Sequence, residues 1–165
     1  MRSKEWTEST RKHLLILCLV FSVLCTLGFY FLDLQILAEQ PDTGGYLRVA
    51  DNLLQTGSFY TPESGNVDLY RIPGYPLFLA ITRLVLGPSH MYVIVLQLLA
   101  LGLQTMLLYK ASDLLWNERT AFSAALLGLL ASATWFGAFT LLTETLFTLA
   151  LVGAFTAPLS LLQEG

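Results

Sequence analysis

His90-MYVIVLQLLALGLQTMLL-Tyr109 decides the fold class of this chain: it holds no Asp, Glu, Lys or Arg, and Lys110 follows it directly. Such a run, wound as a helix, is long enough to cross the roughly 30 Å hydrocarbon core of a bilayer. Working outward towards the C-terminus, the charged loop Lys110 to Arg119 separates it from a second apolar run, Thr120 to Phe136. A further one follows at Leu141 to Leu162. Towards the N-terminus, Pro73 to Gly87 is apolar but short and contains Arg83. It reads as an interfacial or re-entrant helix, ended by Gly87-Pro88. Before it lies the polar stretch Ala38 to Arg71, and before that the apolar run Leu14 to Leu32. The expected fold is therefore all-α and integral to the membrane. About four transmembrane helices are expected, at 14–37, 90–110, 119–136 and 140–162. Amphipathic interfacial helices belong to an outer loop, 38–88, and 1–165 form one membrane domain.

Composition agrees. Of 165 residues, 55% are hydrophobic and 13% charged, with a mean hydropathy of +0.61. A soluble domain carries about twice that share of charge. The nine Lys and Arg are too few and scattered for a nucleic-acid surface, so no nucleic-acid partner is expected. The two cysteines, Cys18 and Cys25, are seven apart in the first run. On a helix they share a face as small apolar side chains and cannot bond to each other. No Cys or His spacing suggests structural zinc.

Four of the nine basic residues, Arg2, Lys4, Arg11 and Lys12, precede the first run. The run is too long for a signal-peptide core and no small-x-small cleavage site follows. It is expected to be a retained anchor with a cytoplasmic N-terminus. The acidic excess of the 38–71 stretch suits the outer side. Within it, Tyr46, Val49, Ala50, Leu53 and Leu54 recur at helical spacing between Asp42 and Gly57. That predicts a short surface helix with Asp42 at its start and Gly57 as C-cap. Thr120, Ala124, Gly128 and Ser132 repeat at every fourth position, as do Gly153 and Ala157. Such stripes let lipid-embedded helices approach closely. Gln97 and Gln104 are placed to hydrogen-bond a neighbouring helix.

Three places hold polar residues that packing does not require. Asp42, in Pro41-Asp-Thr-Gly-Gly-Tyr46, either caps the surface helix or presents a carboxylate at the water–lipid boundary; the two roles are compatible. Arg71, in Tyr70-Arg-Ile-Pro-Gly-Tyr-Pro76, either snorkels to the interface or binds phosphate, whose geometry guanidinium matches bidentately. Thr140, Glu144 and Thr148 share a face near the outer end of the last run. An ionisable group in a span costs roughly 2.5–3.5 kcal/mol on translocon scales, which makes Glu144 a functional candidate. Asp33 raises the same question more weakly, because an adjacent loop could solvate it.

In order, PDTGGYLRVADNLLQTGSF (41–59), YRIPGYPLFLAI (70–81) and LLTETLFTLAL (141–151) resemble the N-terminal region of polyprenyl-phosphate-sugar-dependent membrane glycosyltransferases. These have the C-type fold and include the protein O-mannosyltransferase-like family 39 and its bacterial relatives. The resemblance covers almost the whole chain. It implies transfer of a sugar from a polyprenyl-phosphate donor to an acceptor on the outer face. It places the catalytic carboxylate at Asp42, as base on an acceptor hydroxyl. Arg71, Tyr46, Tyr75 and Glu144 would bind substrate, and a divalent metal would have only Asp42 to hold it. Inversion at the sugar carbon follows from a single direct displacement. Family members are several times longer, so the chain is expected to be a fragment, a truncated reading frame or a reduced variant. The remaining part of the transferase would then be a partner, and the chain alone would be inactive. The rival reading is a non-enzymatic membrane subunit or a lipid-carrier-binding module; a third is a transporter fragment with Glu144 on an ion path.

Overall fold

The computed structural model describes residues 4–31, 42–61, 66–67, 72–131, 138–141 and 143–164. Six helices account for most of them: α1 (Lys4–Phe31), α2 (Thr43–Thr56), α3 (Gly74–Leu86), α4 (His90–Leu115), α5 (Glu118–Leu130) and α6 (Glu144–Glu164). Between α2 and α3 a two-residue antiparallel ladder pairs β1 (Tyr60–Thr61) with β2 (Asn66–Val67), Tyr60 opposite Val67. No strand was expected there, because two residues leave no alternation to read.

Helix α4 is the centre, and α1, α5 and α6 pack around it. Its buried residues, among them Val93, Ile94, Gln97, Leu98, Leu101, Thr105 and Tyr109, point to several sides rather than along one stripe. The directions of the outer helices follow from their contacts. On α1, Cys18 lies by Gly102 and the Ser22 hydroxyl points at the Leu98 carbonyl, so α1 and α4 are antiparallel. On α5, Gly128 meets Leu108 while Glu118 closely follows the end of α4, again antiparallel. Helix α6 runs parallel to α4: Gln97 Nε2 donates to the Thr140 carbonyl at 3.1 Å, and Thr148 Oγ1 donates to Gln104 Oε1 at 2.9 Å. The two glutamines thus tie the last helix to the centre. The beginnings of α1 and α5 and the ends of α4 and α6 share one end of the bundle. The other end holds the close of α1 and the beginnings of α4 and α6, and there α2 and α3 attach.

Two described helices, α4 and α6 up to Leu162, are long and apolar enough to cross a membrane; four had been expected. Helix α1 has 28 residues, but its apolar part, Lys12–Gly28, is shorter. Helix α5 has 13 residues, about 20 Å of rise. Its C-cap Ala131 turns extended at ψ 120, and 132–137 lie outside the described residues. An apolar run extending to Phe136 therefore overstates the helix. The contact stripe on α5 is also shifted. Ala121, Ala125 and Leu129 are buried while Thr120 is exposed; a four-residue repeat does not say which of two adjacent stripes faces the partner. Gly128 does make a close approach, since a Cβ there would stand 2.8 Å from Leu108 Cδ2. On α6 a Cβ at Gly153 would only touch Leu107 at 3.9 Å, and Ala157 is exposed.

Punctuation follows local chemistry. Gly57 caps α2 in the left-handed region, φ 70, and its N–H reaches the Leu53 carbonyl at 2.9 Å. Gly87, at φ 107 and ψ 177, occupies backbone space open essentially to glycine alone. It turns the chain into Pro88 and Ser89, whose hydroxyl accepts from Met91 N at 3.3 Å to start α4. Asn117 starts α5, accepting from Thr120 N at 3.0 Å.

Candidate functional site

Helix α2 forms because its apolar positions share one face, and that face packs against α3. Val49 and Ala50 are buried there, with Leu53 beside them, while Leu54 stays exposed. The expected surface helix is thus half of a two-helix unit. Asp51 on α2 forms an ion pair with Arg83 on α3, clamping the unit at the end away from Tyr46. Thirty-two residues apart, the two carry no spacing signal.

At the other end of the unit, three aromatic rings meet. Tyr46 packs edge-on against Tyr75, centroids 5.2 Å apart, and Tyr75 tilts over Phe78 at 5.8 Å. Tyr75 enters on the first turn of α3, where Pro76 is tolerated because its missing N–H has no helical partner there. Tyr75 is 3% exposed, and its hydroxyl has no hydrogen-bond partner among the described residues. Burying a hydroxyl without a partner costs about 1–3 kcal/mol. Burial pushes the Tyr75 phenol up, and the Glu144 carboxylate and Tyr46 push it further in that direction. At neutral pH it is therefore an uncharged hydrogen-bond donor within the field of Glu144.

Asp42 precedes α2 and accepts from Gly45 N (3.0 Å) and Tyr46 N (3.2 Å), but through its backbone carbonyl. Its φ of −83 and ψ of −18 are helical, so the exposed carboxylate makes no capping hydrogen bond. The Asp42 side chain therefore does not cap α2. One helical turn separates Asp42 from Tyr46, so Asp42, Tyr46 and Tyr75 lie at one end of the α2–α3 unit.

Glu144 is the first residue of α6 and exposed. A carboxylate at a helix N-terminus is favoured by the helix dipole whatever else it does. The face expected to hold Thr140, Glu144 and Thr148 divides its work. Thr140 is buried and gives its carbonyl to Gln97, and Thr148 has one O–H to share between Gln104 Oε1 and the Glu144 carbonyl. Its neighbour Thr145 is 3% exposed with an unpartnered hydroxyl, a second buried polar atom that the sequence reading passed over. The consecutive polar residues Thr143, Glu144 and Thr145 at the start of α6 were the available signal.

Arg71 and Asp33 lie outside the described residues. The fold therefore brings together Asp42, Tyr46, Tyr75 and the start of α6. Among the described residues no group of three His, Cys, Asp or Glu is arranged to hold a metal ion. Against known proteins the chain matches no family model, no curated protein and no solved structure.

Proposed function

We propose that the chain is a membrane glycosyltransferase, or part of one, that binds a polyprenyl-phosphate-linked sugar at the Asp42 end of the bundle. The observation that carries this reading is Tyr75: a buried donor without a partner among the described residues, within the field of Glu144 and packed against Tyr46, which stands one helical turn from the exposed Asp42 carboxylate. A hydroxyl donor and a carboxylate acceptor at one end of the bundle suit sugar hydroxyls. An exposed Asp42 suits a base that takes the acceptor's proton as the sugar leaves its phosphate. The lipid phosphate is already a good leaving group, so a strong acid is dispensable. Arg71, close before α3, neutralises the charge that grows on it. Tyr46 fixes the Tyr75 ring.

The membrane half of the reading rests on surface chemistry. Among the described residues of helix α1, Leu14 and Cys18 are buried and Phe21 and Cys25 pack at the flank of the core. The helix leaves Ile16, Leu17, Leu19, Val20, Val23, Leu24 and Leu27 exposed. Helix α6 exposes Phe147, Leu151, Phe155 and Leu162, and keeps Pro158 in its interior. Lipid tolerates such surfaces and such prolines; water does not. In this orientation the start of α1 and the α4–α5 turn face the cytoplasm, and the α2–α3 unit faces outward.

The test is binding of a radiolabelled polyprenyl phosphate, bare or mannosylated, to the chain in nanodiscs. Arg71→Ala should weaken both at least ten-fold and Arg71→Lys should recover part, since a point charge lacks the bidentate contact. Tyr75→Phe should weaken the sugar-bearing ligand alone. Equal binding by wild type and Arg71→Ala removes the phosphate site and, with it, the transferase reading.

A further inference from the structure

At the end of the bundle opposite Asp42, α1 and the first turns of α5 enclose a groove of about 700 Å³, lined by Thr10, His13, Glu118, Arg119, Phe122 and Ser123. The size falls within the usual range of small-molecule sites, and both signs of charge stand side by side in it. Thr10 Oγ1 donates to Glu118 Oε1 at 2.5 Å, which fixes that carboxylate and leaves its second oxygen to accept. Arg119 is exposed and makes no ion pair among the described residues. His13 is held through Nδ1 by the Ser9 carbonyl at 2.8 Å, with Nε2 left over. Phe122 supplies an apolar wall. Past the groove, Ile16 and Leu17 on α1 and Leu127 on α5 are exposed and apolar.

We propose that this groove binds the headgroup of a phospholipid that carries both a phosphate and a primary ammonium, its acyl chains lying along the apolar faces of α1 and α5. The proposal rests on the membrane reading above but not on glycosyl transfer. Arg119 takes the phosphate, bidentately, with the Ser123 hydroxyl beside it. Glu118 takes the ammonium. A wholly anionic headgroup would set its charge against Glu118. A quaternary ammonium has no N–H to give the carboxylate, whereas a primary one has three. Charge complementarity therefore selects an ethanolamine-type headgroup over choline and glycerol types.

The chain is equilibrated in detergent with equal amounts of ethanolamine, choline and glycerol phospholipids of identical acyl chains, and the co-purifying lipid is measured by mass spectrometry. Wild type should enrich the ethanolamine lipid several-fold. Glu118→Gln, which can still accept from Thr10, should lose the preference of ethanolamine over choline. Arg119→Gln should lower all three. Thermal melts of each variant report that it is folded. Input-like lipid in the wild type, or an undiminished ethanolamine preference in Glu118→Gln, overturns the proposal. Flotation with vesicles separates the two readings: a chain that floats without headgroup preference sinks this one alone, and a chain that does not float sinks both.

Discussion

At the scale of single residues, Asp42 and Tyr75 make opposite predictions for stability and function. An N-cap Asp or Asn replaced by Ala ordinarily costs about 1 kcal/mol. The Asp42 carboxylate makes no such bond, so Asp42→Ala should change stability by less than about 0.5 kcal/mol, the range of ordinary surface changes. In a transfer-competent preparation, Asp42→Asn should remove nearly all turnover with an unchanged melt. A near-wild-type rate would move the base to Glu144 or Asp33. Tyr75→Phe removes a buried hydroxyl that has no partner among the described residues. Chemical denaturation should find the variant as stable as wild type, or more so by up to about 1 kcal/mol, because the desolvation cost disappears. A loss of more than about 1 kcal/mol would mean that the hydroxyl has a structural partner.

At the scale of elements, the α4–α5 and α4–α6 seams are held differently. Gly128 gives Leu108 its room, so Gly128→Leu should destabilise by about 1–3 kcal/mol through overpacking. Adding Leu108→Ala should restore part of that; additivity of the two would show that they do not share space. The α4–α6 seam uses polar groups instead. A double-mutant cycle on Gln104 and Thr148 should return about 0.6 kcal/mol, the typical coupling of a hydrogen bond between membrane helices. The Asp51–Arg83 pair is half-exposed on its acidic side, so Arg83→Met should cost under about 1 kcal/mol. Its effect is expected on the α2–α3 angle, and hence on ligand affinity.

At the scale of the whole molecule, the bundle's two ends differ in charge. One gathers the basic start of α1 and the Lys110–Arg119 turn. The other carries the α2–α3 unit with Asp42 and Tyr75. Single cysteines at Ser64 and Asn117, in a background lacking Cys18 and Cys25, can be tested with an impermeant thiol reagent. Position 64 should label in intact cells and position 117 only after lysis, as the basic bias requires. The reverse pattern would turn the molecule over and put the Asp42 end in the cytoplasm.

Local rules made part of this legible in advance. Helix content, the two turn glycines Gly57 and Gly87, the partnering of Gln97 and Gln104, and the short helix after Pro73 follow from apolar run length and from backbone restrictions that act within a few residues. The same signals misjudged α5, where a continuous apolar run outlasts the helix, and chose the neighbouring stripe of small residues, because periodicity carries no partner. What tertiary structure alone decided is everything that joins distant segments. Asp51 and Arg83 are 32 residues apart, Thr10 and Glu118 are 108 apart, and Tyr46, Tyr75 and Glu144 come from three helices. Whether a hydroxyl finds a partner, or a carboxylate caps its helix, depends on which atoms packing delivers to within about 3 Å. That is a property of the assembled bundle, and no stretch of the chain contains it.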